Sequence, residues 1–189
     1  MRDDFLRLPA GLPIPVDDGA CDHLRGMEMA RVALASTSGG MVDVREVSEG
    51  LACFFVYPRT GRPDEAAPAN WDEIPGARGC TPHSCGFRDL WEEFGEMGAR
   101  VYGVSSVSAA HQAEFVARMK MPMEHLSDEG MALTRAMGLP TFEHGGTRLM
   151  QRMAMVCAGG RVEKVFYPVF PPDRNAAEVL GYLRARTGG

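Results

Sequence analysis

The chain has 189 residues, a formal net charge of −5 and 45% hydrophobic residues. That length suits one domain with a real core. The acidic balance argues against a nucleic-acid binder working through bulk charge, and no segment approaches the ~20 apolar residues of a membrane span. The stretch Met1-Arg-Asp-Asp-Phe-Leu-Arg7 has two early acids and no apolar core, so an export signal is not expected and a cytoplasmic, reducing location is.

Residues 1–27 read as a loop-like N-terminal extension, with Pro9, Pro13 and Pro15, ahead of one domain over 28–189. Arg31–Ala35 and Met41–Val44 predict two short strands across a Ser/Gly turn. Leu51–Tyr57 has no polar alternation and predicts a central strand buried on both faces, ended by Pro58. Residues 58–79 form a long connection rich in Pro, Gly, Ala and Asp, a length that is usually functional or disordered. Thr81 then reads as an N-cap with Pro82 at the first helical position. Phe87, Leu90, Trp91, Phe94 and Met97 recur at helical spacing up to Gly98.

Val101–Val104 predicts the next strand. A helix opened by Ser106 or Ser108 runs to about Met119, Glu124–Leu126 is a brief strand, and Ser127 or Asp128 caps a helix ending near Gly138. Arg152–Cys157 and Val162–Tyr167 flank an Ala-Gly-Gly turn and predict a hairpin. Asp173 caps a last helix carrying Ala177, Leu180 and Leu183. Strands alternating with helices argue for an α/β layer fold with parallel strands in its middle. The order is that of a thioredoxin-like fold, a central mixed sheet flanked by helices, with an N-terminal β-hairpin extension.

The cysteines are Cys21, Cys53, Cys80, Cys85 and Cys157. Five cannot all pair within one chain, and a reducing location makes a disulfide-stapled scaffold unexpected. Cys53 and Cys157 lie in apolar strands and read as buried core thiols. Cys21 reads as a bystander in a flexible segment. With Thr81 as N-cap, Cys80 and Cys85 take the two positions that meet in a hydrophobic staple. Cys80 then lies at the positive end of a helix, beside Arg78, where a thiolate is favoured. A thiolate there is a nucleophile candidate; the alternative is a pair of ordinary thiols. A zinc site from Cys80, His83 and Cys85 lacks the ligand spacing of such sites, and His83 reads as an exposed first-turn residue.

The stretch Gly79-Cys-Thr-x-x-x-Cys85-x-Phe87-Arg-Asp89, with Phe55 to Pro58 ending the strand before it, resembles the peroxiredoxins, most closely their Q-type, bacterioferritin-comigratory-protein-like branch. Tyr57-Pro-Arg-Thr-Gly61, Ile74 to Pro82 and Val165 to Asn175 look like a subgroup with an enlarged loop before the active cysteine. The likeness runs from about residue 28 to the C-terminus. It implies a thiol-dependent peroxidase that needs no metal or organic cofactor. Cys80 would be the peroxidatic cysteine, giving a sulfenic acid with hydrogen peroxide or an organic hydroperoxide. Cys85 would resolve it as an intramolecular disulfide, reduced by thioredoxin or a similar dithiol protein.

The resemblance assigns Arg152 to holding the thiolate and the peroxide oxygen, with Arg78 and Arg148 as alternatives. It leaves a monomer or a homodimer open, while charge and hydropathy lead to the expectation of no nucleic-acid and no membrane partner. One position departs from the family pattern: three residues before Cys80, where a Thr or Ser is expected, stands Ala77. Thr60, brought back by the long loop, or Thr81 would replace the missing hydroxyl. The departure also motivates a second reading, a non-enzymatic thioredoxin-fold redox sensor or interaction module. A copper-handling relative of the same fold is a third, with no distal ligand to support it.

Overall fold

The computed structural model describes residues 6–187; the opening stretch before Leu6 lies outside them. In chain order the elements are β1 (Ala33–Ser36), β2 (Met41–Asp43), α1 (Val44–Val47), β3 (Ala52–Val56), α2 (Cys80–Asp89), α3 (Trp91–Glu96), β4 (Arg100–Ser105), α4 (Ala109–Met119), β5 (His125–Ser127), α5 (Ala132–Met137), β6 (Thr141–His144), β7 (Thr147–Met150), β8 (Met153–Ala158), β9 (Arg161–Phe166) and α6 (Asn175–Thr187). Seven strands form one sheet in the order β2-β1-β5-β4-β3-β8-β9. The β3–β4 and β4–β5 pairs are parallel, each needing a crossover that α2–α3 and α4 supply. The β3–β8 and β8–β9 pairs are antiparallel. This is the mixed, helix-flanked sheet expected of the sequence, and the N-terminal hairpin β1–β2 joins it through β5.

Because β3 has an apolar residue at every position, it feeds two cores through its pleat. Phe54 and Val56 point into one, with Leu24, Leu133 and Met137. Cys53 and Phe55 point into the other, with Phe87, Phe94, Phe115 and Leu180. The second core holds the helices that carry Cys80 and Cys85. Its centre is Phe55, whose ring stacks on Phe87 at 4.3 Å and meets His83 and His125 edge-on.

Two expectations are corrected, and one hairpin appears where the sequence reading had no element. Cys21 is not loose: it is buried, with its Sγ 3.9 Å from Met153 Sδ, because an aperiodic segment can still be anchored by single apolar side chains such as Leu24. The single helix read from Pro82 to Met97 bends at Leu90 into α2 and α3, which wraps the fully buried Phe87 and Phe94 around the core. A second hairpin, β6–β7, stands outside the main sheet; the Gly145-Gly146 turn, both residues at positive φ, was its signal. Ser108 does cap α4, accepting from His111 N–H at 3.3 Å. Asp128 accepts from the N–H groups of Leu133 and Thr134 at the start of α5.

Candidate active site

The geometry of the site starts at Gly79. It holds φ = 101°, and a Cβ there would sit 2.5 Å from Pro172 Cγ and 2.7 Å from Leu8 Cδ2, so glycine is required on both counts. Gly79 is the N-cap, and α2 begins at Cys80 itself. Thr81 is therefore not the cap, and Pro82 occupies the third helical position, still among the N–H groups that have no helical partner. This removes the staple relation between the cysteines. Five residues apart on an ideal helix, their Cα atoms stand about 8.7 Å apart, beyond the ~7 Å span of a disulfide. Both are buried, as free thiols.

Arg152, one residue before β8, is 3% exposed. Its Nη2 donates to Cys80 Sγ, to the Ala77 carbonyl and to the Arg78 carbonyl, each at 3.2 Å. Its Nε donates to the Gly76 carbonyl at 3.2 Å, and Nη1 to His83 Nδ1 at 3.0 Å. Among the described residues no carboxylate pairs with it. A buried guanidinium held only by neutral acceptors keeps its full positive charge, and the one partner in the set able to become an anion is the Cys80 sulfur. Such an N⁺–H donor stabilises negative charge on sulfur.

His83 was read as an exposed first-turn residue; it is fully buried. Because a guanidinium can only donate, His83 Nδ1 is an acceptor and the ring proton lies on Nε2. That proton is donated to Asn175 Oδ1 at 2.9 Å. Burial, then the Arg152 charge, hold the His83 pKa well below its ordinary value, with the Asn175 bond opposing. Both ring nitrogens are occupied, so His83 is not available to join the two cysteines around a metal. Sequence spacing held one hint of this: His83 lies three residues after Cys80, on the same helix face.

The loop 58–79 closes over Cys80. A cavity of about 30 Å³, room for roughly two water-sized groups, is lined by Arg59, Thr60, Pro68, Trp71, Cys80 and Thr81, among others. Trp71 reaches it from the 3₁₀ turn Trp71–Glu73, and the hairpin β6–β7 supports Trp71 through Phe142 and His144. Both threonines named from the sequence thus line the cavity that holds Cys80, whereas Ala77 is buried without a hydroxyl to offer. Arg78 is buried beside the site with Asp72 at 3.3 Å. Arg148 is exposed and bonded to Glu143. The structure places Cys80, Thr60 and Thr81 on one cavity, sets Arg152 against Cys80 Sγ from outside that lining, and leaves Cys85 farther along α2.

The remaining thiols sit in surroundings that disfavour a thiolate. Burial pushes Cys53 up to about 12 and raises Cys157 further. Burial, reinforced by Asp18, Asp17 and Asp22, pushes Cys21 up to about 12. Burial also raises Cys85, with Arg88 opposing.

Comparison with known proteins matches residues 24–180 to the Redoxin family. The chain is 32% identical over 171 residues to a putative chloroplastic peroxiredoxin Q of Oryza sativa subsp. indica, covering 82% of this chain and 76% of that one. It superposes on the crystal structure of peroxidoxin BcpB from Mycobacterium tuberculosis with a TM-score of 0.67 at 28% identity, over 85% of this chain and 96% of that one. The bacterioferritin comigratory protein of Xanthomonas campestris shares the fold, with a TM-score of 0.66 at 22% identity over 94% and 99% of the two chains.

Proposed function

We propose, for a chain that belongs to the Redoxin family and to its peroxiredoxin Q branch, that its thiol-dependent peroxidase activity runs through Cys80 as the peroxidatic cysteine. The observation that carries this is the buried Arg152, which lacks a carboxylate partner among the described residues and donates to Cys80 Sγ at 3.2 Å. The non-enzymatic sensor reading is not favoured by these relatives, all of which are peroxiredoxins.

In the proposed cycle the Cys80 thiolate attacks one oxygen of a hydroperoxide. The S–O bond forms as the O–O bond breaks, the sulfur is oxidised to a sulfenic acid, and the leaving alkoxide or hydroxide takes a proton to depart as alcohol or water. Arg152 faces the charge that moves from sulfur to oxygen. Cys85 then attacks the Cys80 sulfur, displacing water and leaving a disulfide. A thioredoxin-like dithiol restores both thiols by exchange. The cycle needs a reducing compartment, which supports a cytoplasmic site of action. Among the described residues no helix is long and apolar enough to cross a membrane.

The test is peroxide consumption at a fixed dithiol concentration. Turnover is expected to vanish in Cys80→Ser, while Cys53→Ser and Cys157→Ser retain it if folded. Turnover persisting in Cys80→Ser would remove the assignment.

A further inference from the structure

Ala77 offers no hydroxyl three residues before Cys80, while Thr60 and Thr81 line the cavity at Cys80. One of them has its hydroxyl oriented by a neighbour. Thr60 is fully buried. His111 Nε2 lies 3.0 Å from the Thr60 carbonyl oxygen and 3.3 Å from Thr60 Oγ1. A carbonyl oxygen only accepts, so His111 Nε2 carries the proton and shares it between these two oxygens. Thr60 Oγ1 is then an acceptor from His111, and its own hydrogen is left for another partner. Among the described residues no other protein atom bonds Thr60 Oγ1, and Thr60 lines the cavity at Cys80.

The rest of α4 fixes the same piece of loop. Residues 111, 114 and 118 share one helix face. Arg118 Nη2 donates to the Gly61 carbonyl at 2.9 Å, and Glu114 meets Arg62 Nε at 4.0 Å. Thr60, Gly61 and Arg62 are thus each held by a different side chain of one helix. Just before them, Ser105 Oγ at the end of β4 donates to the Pro58 carbonyl at 2.9 Å.

We propose that Thr60 is a catalytic residue, donating its hydroxyl hydrogen as a bond to the peroxide seated over Cys80, and that His111 is the positioning residue that turns that hydroxyl into the cavity. The proposal rests on Cys80 being the peroxidatic thiol. No atom is transferred; the bond strengthens as negative charge builds on the peroxide oxygen.

The experiment measures the second-order rate of Cys80 oxidation by hydrogen peroxide, beside peptide-resolved alkylation of Cys80 by iodoacetamide and the thermal midpoint of each variant. Thr60→Val, which keeps the shape and removes the hydroxyl, is expected to lower the peroxide rate by about 10²-fold and to leave alkylation within about twofold. His111→Ala is expected to lower the peroxide rate by up to about 10²-fold through misplacement. His111→Gln, whose amide N–H can donate in the same place, is expected to recover most of it. Acting through one group, the two losses should not multiply: Thr60→Val with His111→Ala should be no slower than Thr60→Val alone.

An undiminished peroxide rate in Thr60→Val overturns the proposal. Multiplying losses, or a parallel fall in alkylation, overturn the positioning role. Failure of the underlying reading would look different, with peroxide leaving Cys80 unoxidised in the unmodified protein as well.

Discussion

Arg152 is the residue on which the site turns. A guanidinium 3% exposed and bonded to three carbonyls, one imidazole and one thiol bears a desolvation cost that only an anion offsets well. Of its five partners, only the Cys80 sulfur can become an anion. Arg152→Met is expected to slow Cys80 oxidation by about 10²–10³-fold, the usual effect of losing one donor to developing charge. Arg152→Lys should fall between, since an ammonium keeps the charge and loses the planar fork. Stopped-flow kinetics with hydrogen peroxide would measure both. An Arg152→Met rate equal to wild type would mean that this donor does not act on the reacting atoms.

At the scale of the element, the proposed cycle asks two incompatible things of α2. Folded, it holds Cys80 against Arg152 and locks to α6 through His83 and Asn175. Five positions apart on a helix, Cys80 and Cys85 cannot bond without loss of helical turns. Forming the Cys80–Cys85 disulfide therefore has to unwind the start of α2 and break the Ser84 Oγ to Cys80 carbonyl bond of 3.0 Å. Amide hydrogen exchange in residues 80–89 should rise on oxidation and return on reduction with a dithiol, while β3 and β8 stay protected. Unchanged exchange in α2 in the oxidised protein would place the disulfide elsewhere.

Across the whole molecule, two histidines are buried in the second core and carry no positive charge. His83 is held well below its ordinary pKa by burial and Arg152, and burial brings His125 down to about 3. An unfolded chain protonates both near pH 6.5, so below that pH the unfolded state binds more protons. Stability is then full above pH 6.5 and falls as the pH drops toward the folded values, by up to ~1.4 kcal/mol per pH unit for each histidine. Urea midpoints at pH 7.5 and pH 5 should show the fall; equal midpoints would mean these rings charge inside the fold.

The fold was legible because β3 is an unbroken apolar run, the helices repeat an apolar face, and a Gly-Gly turn joins the apolar strands β8 and β9; the cysteine spacing with its flanking residues carried the family. Cys80, Arg152 and the two threonines could be named on that basis. What stayed hidden depends on chain segments meeting in space. His83 looks like an ordinary surface residue until Arg152 and Asn175 are placed on either side of it. The helix start at Cys80 rather than Pro82 follows from Gly79, at positive φ and close to Pro172 and Leu8, serving as the N-cap. That the 58–79 loop roofs the site depends on Trp71 resting on a hairpin about seventy residues later in the chain.

The most direct measurement is the intact mass of reduced protein before and after one equivalent of hydrogen peroxide, with peptide mapping. A loss of about 2 Da within seconds, mapped to a Cys80–Cys85 link and reversed by a dithiol, is the expected result. A stable gain of about 16 Da at Cys80 would contradict the resolving role of Cys85. No change at Cys80 would contradict its role as the peroxidatic thiol.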